Sequence, residues 1–145
     1  MKVQKSIEIL APPEKLWPFM AEPERIMQWY TPLQKFEYTG DKRCQVGAQF
    51  CFEEKVTNGV MKLNCEVTEC IENERFAFKM NSGNMMKSYG EKWLIEAIPS
   101  GIRFTFSEQG ELPGIMGKLI TPIAERMSGA NIDKMLARLK SLVEA

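Results

Sequence analysis

At 145 residues the chain has the length of one domain, with a core able to bury about two thirds of the surface its unfolded form exposes. Nineteen basic and nineteen acidic side chains cancel, and no basic stripe interleaved with aromatics occurs, which argues against nucleic-acid binding. Histidine is absent, so Ser-His and Cys-His nucleophile pairs, histidine bases and histidine metal clusters are excluded within the chain.

The first segment, Val3 to Leu10, alternates: Val3, Lys5, Ile7 and Ile9 fall on one side, and Gln4, Ser6 and Glu8 on the other, as in a half-buried strand. It starts too early to leave room for the apolar stretch of a signal peptide. No apolar run in the chain is long enough to span a bilayer, so a soluble, cytoplasmic protein without stable membrane insertion is expected. Pro13 and Glu14 suit a first helical turn presenting Leu16, Trp17, Phe19 and Met20, and Pro18 must shorten or kink this helix. A second short helix opens at Pro23-Glu24 and ends before Thr31-Pro32, with Trp17, Trp29 and Tyr30 read as packing residues.

From Leu33 the pattern is a meander. Phe36 and Tyr38 mark one strand, and residues 48–57 another that aligns Phe50, Phe52 and Val56. Asn58-Gly59 predicts a type I′ hairpin into Val60 to Cys70, where Met61, Leu63, Cys65 and Val67 share a face. Arg75 to Met80 aligns Phe76, Phe78 and Met80, and Asn81-Ser82-Gly83-Asn84 reads as a turn. Strands follow near Lys87 to Ile98 and Ile102 to Glu108. Cys44, Cys51, Cys65 and Cys70 form no CxxC pair and have no histidine to complete a zinc site; reduced thiols, no metal and no cofactor are expected. Cys51 and Cys65 fall on opposite faces and should not bridge.

Gly114 to Glu144 predicts one long helix carrying two apolar stripes. Met116, Leu119, Ile120, Ile123, Met127 and Ala130 form the first, and Ile132, Met135, Leu136, Leu139, Leu142 and Val143 the second. At about 100° per residue the stripes are offset by roughly a third of a turn. The second suits tight packing on a sheet; the first, rich in methionine and holding Pro122 and Gly129, suits a looser wall. Gly114 and Gly117, beside Leu112 and Met116, suggest a hinged lid in preference to a segment that dips into a membrane surface, since no basic face is present to hold anionic headgroups.

The order of elements, with Ile7-Glu8-Ile9-Leu10-Ala11-Pro12-Pro13-Glu14-Lys15-Leu16-Trp17, Glu22-Pro23-Glu24-Arg25-Ile26-Met27-Gln28-Trp29 and the tail Leu139-Lys140-Ser141-Leu142-Val143-Glu144, resembles the START-like, Bet v 1-like helix-grip (SRPBCC) superfamily. The nearest branch is that of polyketide cyclases/dehydrases and lipid transport. The resemblance covers essentially the whole chain. It implies an α+β fold with a curved antiparallel sheet of about seven strands around the long C-terminal helix, and two short helices between strands one and two. It is specific for fold and nearly silent on function, because the superfamily includes carriers, binders, cyclases and chaperone relatives.

If the sheet wraps the helix as the resemblance implies, one parity of each strand shares an interior. Phe52, Met61, Leu63, Phe76, Phe78, Tyr89, Glu91, Trp93, Phe104 and Phe106 face Met116, Ile120, Ile123 and Met127 there, as core or as the lining of a ligand cavity. Ten methionines favour a wall that repacks around apolar ligands. Glu91 shares parity with Tyr89, Trp93 and Ile95, and burial should raise its pKa. It is read either as a ligand-orienting acceptor or general acid/base with Tyr89, or as a group paired near the cavity mouth. Glu108, at a strand end, is expected in solvent; Asn131 either bonds into the cavity or marks a bend. The leading function is binding of a small hydrophobic or amphipathic molecule by a carrier or sensor. The rivals are a polyketide cyclase/dehydrase-type enzyme and a chaperone-related interaction module, and both monomer and homodimer remain open.

Overall fold

The computed structural model describes residues 1–145. Seven strands, β1 (Lys2–Ile9), β2 (Leu33–Tyr38), β3 (Gln49–Val56), β4 (Gly59–Ile71), β5 (Arg75–Gly83), β6 (Ser88–Ile98) and β7 (Gly101–Glu111), form one antiparallel sheet in the order β1-β7-β6-β5-β4-β3-β2. β1 and β2 are neighbours in sequence but occupy opposite edges. Their connection therefore crosses the open side of the curled sheet, and it does so as α1 (Pro13–Leu16), α2 (Pro18–Ala21) and α3 (Pro23–Trp29). Three short helices stand where two are predicted. The amide of Trp17 closes α1 on the Pro13 carbonyl, and the ring of Pro18 then offers no N–H to continue the ladder.

The crossing helices set their apolar side on the inward-facing aromatics. Trp29 is fully buried, its ring centroid 5.2 Å from Trp93 and 6.0 Å from Phe104, and its Nε1 donates to the Phe19 carbonyl at 2.7 Å. Burying each such side chain contributes about 1.5–3 kcal/mol. The helix α4 (Gly114–Glu144) lies against β1 and α3. Its half beyond Gly129 buries Ile132, Met135, Leu136, Leu139 and Val143, which is the second stripe. The first stripe leaves the core: Met116, Ile123 and Met127 are 69%, 62% and 46% exposed. Two local features favour departure from ideal helix geometry here. Pro122 denies the carbonyl of Lys118 a partner, and Thr121 Oγ1 donates back to the Gly117 carbonyl at 2.8 Å.

Four local expectations are corrected. The β3–β4 hairpin turns through Thr57 and Asn58, with Val56 paired to Gly59, and Asn58 does not take positive φ; Gly59 opens β4 with φ +142°. The segment Asn81 to Gly83 continues β5 along β4, so the turn falls at residues 84–87. Gly117 is buried on Leu112 and serves close packing instead of a hinge. Cys44 and Cys70 are joined in a disulfide with their Cα atoms 5.9 Å apart, because the loop after β2 folds back over the end of β4; Cys51 and Cys65 are free.

Candidate functional site

Between the exposed half of α4 and the ends of β3, β4 and β6 lies a cavity of about 560 Å³. Its wall is largely apolar, and Met1, Met61, Met85, Met86, Met116 and Met127, six of the ten methionines, border it. Met85 is held at φ +65° in the turn after β5. That turn is anchored by Asn84, whose side chain accepts from the Lys62 amide at 2.8 Å and donates to the Val60 carbonyl at 3.3 Å. A broader hollow of about 960 Å³ lies on the outer face of the sheet, among Lys2, Gln4, Lys79, Lys92, Ser107 and Gln109. Five of its nineteen lining residues are hydrophobic, and Tyr89, Glu91 and Glu108 border it as well.

Of the residues expected inside, Met61, Tyr89, Met116, Ile120, Ile123 and Met127 border the cavity. Phe52, Leu63, Phe76, Phe78, Trp93, Phe104 and Phe106 do not. They form the solid aromatic layer behind it, with Trp93 and Phe106 stacked at 6.1 Å and Phe76 5.0 Å from Trp93. Asn131 is exposed at the far rim. Ile95 and Cys65 are core, and burial pushes the Cys65 thiol up.

Glu91 is buried within this layer, on the inward parity of β6, and is not among the cavity-lining groups. Its Oε2 lies 2.6 Å from the Tyr30 hydroxyl and 2.5 Å from that of Tyr89, and Trp93 Nε1 donates to its Oε1 at 3.0 Å. The Tyr30 hydroxyl is also 2.9 Å from Glu54 Oε1, and that of Tyr89 2.7 Å from Glu108 Oε2. The result is one chain of hydroxyl and carboxyl groups, Glu54–Tyr30–Glu91–Tyr89–Glu108, with Trp93 joined to it at Glu91. Glu54, Tyr89 and Glu108 face the cavity, while Tyr30 and Glu91 stand behind.

The expectation that Glu108 is solvated is overturned. β7 runs on to Glu111, so Glu108 lies inside the strand opposite Glu91 and is only 7% exposed. Tyr30 is more than a packing residue, and Glu54 carries a role the sequence reading did not assign. The signal for Glu54 was present, because it shares the parity of Phe50, Phe52 and Val56 on β3.

Burial dominates the electrostatics. It raises Glu91 well above the ordinary carboxyl range, with the charges of Glu108 and Glu54 acting the same way and the two phenols opposing. Glu54 is pushed up to about 7, by burial first and then by Glu108, against its bond to Tyr30. Glu108 is raised by burial, with Tyr89 and then the nearby Ser128 opposing. Ser128 does not close a hydrogen bond: Glu108 Oε1 is buried without any partner. Proton counting gives the same answer independently. Four oxygen–oxygen contacts need four protons, two phenols supply two, and two of the three carboxyls must therefore be protonated. The chain then carries a single negative charge. No group of histidine, cysteine or acidic side chains is arranged to hold a metal ion.

A sheet curled around a long terminal helix, with short helices across its open side, is the helix-grip architecture. Residues 1–144 match the family of polyketide cyclases/dehydrases and lipid transport proteins, and the chain belongs to that family. Among solved structures, it is similar to a protein of Thermus thermophilus (17% identity, TM-score 0.82, covering 99% of this chain and 97% of that one). It is also similar to a START superfamily protein of Mycobacterium smegmatis (16%, TM-score 0.77, 99% and 97%) and to a Mesorhizobium loti protein (21%, TM-score 0.71, 99% and 96%). At these identities the likeness concerns the fold. No curated protein sequence matches the chain significantly.

Proposed function

We propose that the protein binds a small hydrophobic or amphipathic molecule in the cavity under α4, as a carrier or sensor. The observation that carries this reading is a methionine-rich, largely apolar cavity of about 560 Å³ with two carboxyl side chains, Glu54 and Glu108, in its wall. The volume is in the range of small-molecule sites, roughly 300–1,000 Å³. The carboxyls of Glu54 and Glu108 are the polar anchors for a ligand hydroxyl, N–H or ammonium among otherwise apolar walls. Thioether side chains let the walls repack around apolar bodies of different shape. The charge on the carboxyl chain disfavours an anionic ligand head.

Fluorescence of N-phenyl-naphthylamine, a neutral probe with one N–H donor, tests this. The probe should brighten with the protein and be displaced by decanol and decylamine, and much less by decanoate. Ile120→Trp, at the cavity wall, should abolish the signal, while Leu119→Trp, on the exposed side, should not. Native mass spectrometry of freshly purified protein should show a small-molecule adduct that Ile120→Trp lacks. No brightening, or brightening indifferent to Ile120→Trp, would overturn the proposal.

A further inference from the structure

We propose that the exposed half of α4 is a self-association surface, on which a second copy of this chain docks its own α4 antiparallel, across a two-fold axis between Thr121 and Pro122. The inference does not depend on the binding reading above. Nine large apolar residues of the chain are exposed, and six of them, Ile115, Met116, Leu119, Ile120, Ile123 and Met127, fall in one stretch of this helix at 43% to 80% exposure. Together they present about 650 Å², above the roughly 300–600 Å² of the largest apolar patch on a typical monomer and most of the roughly 800 Å² that each partner gives to a standard interface. A molecule in the cavity does not cover this surface. Ile115 and Leu119, 80% and 67% exposed, do not border the cavity and lie opposite the line of Gly117, Ala124 and Ser128 that faces the body of the protein.

The charges beside the stripe decide the occupant. Lys118 and Glu125 are seven residues apart and share one edge of the helix, next to the face that carries Ile115, Leu119 and Pro122. Neither makes an ion pair within the chain; Glu125 accepts from the Lys2 amide at 2.8 Å on Oε2, and its Oε1 is free. In an antiparallel pair, positions equally far from the two-fold axis stand side by side. Lys118 therefore meets the partner's Glu125, and Glu125 meets the partner's Lys118. On the opposite edge the same register sets Met116 beside the partner's Met127 and Ile120 beside the partner's Ile123. One edge of the seam is charge-paired and the other is wholly apolar.

Other arrangements satisfy these residues less well. A parallel pair sets the charged edge of each helix against the apolar edge of the other, leaving Lys118 and Glu125 without partners. A lipid surface favours a basic rim around an apolar stripe, and this rim carries both signs in Lys118, Glu125 and Arg126. Arg126, on the contact line, lays its aliphatic stem against the partner's Ile115 and keeps its charge at the rim. The line of contact lies on the far side of each helix from the core, so the two bodies diverge from the seam and do not collide. Both cavities then fall on the apolar edge of the seam.

Sedimentation velocity tests this. At tens of micromolar the protein should run as a species of twice 16.6 kDa that dissociates on dilution. Leu119→Glu should weaken association by about 30-fold or more, with circular dichroism and melting temperature unchanged. Lys118→Glu and Glu125→Lys should each weaken it by about tenfold, because both ion pairs of the seam become like-charged. An equimolar mixture of these two variants should regain the dimer, since each chain then meets the opposite charge at both positions. Recovery on mixing is not open to a variant that merely folds badly. A species of 16.6 kDa at every concentration, a dimer indifferent to Leu119→Glu, or no recovery on mixing overturns the proposal. A monomer that instead sediments with vesicles of phosphatidylcholine and phosphatidylglycerol, and ceases to do so with Leu119→Glu, gives the stripe to a lipid surface and overturns it as well.

Discussion

The two halves of α4 share one backbone and differ in what they touch. Beyond Gly129, the residues Ile132, Met135, Leu136, Leu139 and Val143 are at most 3% exposed, pinned against β1 and α3. Before it, Met116, Ile120, Ile123 and Met127 are between 43% and 69% exposed and border a cavity. An offset of the apolar stripe, reinforced by Pro122, is enough to divide a helix into an anchor and a wall. Stability and ligand access are thereby assigned to different residues of one element, and substitutions can address them separately.

The largest effect is expected at the anchor. Leu139→Ala deletes a fully buried side chain and should lower the unfolding free energy by about 2–5 kcal/mol in urea, with probe affinity retained in the folded fraction. Equal loss of binding would mean that the halves are not separable.

Next comes the layer beneath the wall. Glu54 has its folded-state pKa raised to about 7 from 4.5, so the folded protein holds this proton more tightly than the unfolded chain. Its contribution is complete below pH 4.5 and is lost as pH rises through about 7. Glu91 and Glu108 are raised as well and act with the same sign. The unfolding free energy obtained from urea titrations should fall across this interval by on the order of a kcal/mol or more, and Glu54→Gln should flatten the slope. A midpoint that rises with pH would contradict the shared-proton description.

At the junction of wall and loop, Gly117→Ala reverses an ordinary gain. Alanine for glycine inside a helix stabilises by about 1 kcal/mol. Here the new Cβ would lie 2.9 Å from the Leu112 carbonyl group, so calorimetry should show a loss of roughly 1 kcal/mol together with weaker probe binding at the displaced wall. The smallest change in stability belongs to Met127→Ala, within about 0.5 kcal/mol because the side chain is half exposed. Its readout is uptake of the naphthylamine probe, which should drop although the melting temperature hardly moves.

The parts of this arrangement that repeat with a period were legible in the sequence. Alternation placed Tyr89, Glu91 and Trp93 on the inward face, and the offset stripes foretold the divided helix. The site was less legible for three separate reasons. Tyr30 follows the last turn of α3 at φ −85° and ψ 74°, where no periodicity says which way a side chain points. Glu108 looked terminal because Gln109-Gly110-Glu111 is polar, yet β1 and β6 both pair with this stretch and carry the strand on. Glu54 shares parity with Phe50 and Phe52, but lies within the charged run Glu53-Glu54-Lys55, which reads as a solvated face. The aromatic residues posed the opposite difficulty: they fill a layer completely, and the cavity opens beside them instead of among them.

The bridge between Cys44 and Cys70 sits at the other extremity of β4 from Met61, nine residues and about 30 Å along the strand. It closes a ring with a sequence separation of 26, and such a ring limits the number of shapes open to the denatured chain, an entropic restraint of about 3 kcal/mol. Because that restraint acts on the denatured ensemble and is tied at the base of the vessel, reduction should shift the balance between folded and unfolded molecules while leaving the mouth of each folded molecule as it was. Reducing conditions would thus lower the share of folded molecules without reshaping the cavity of those that remain folded.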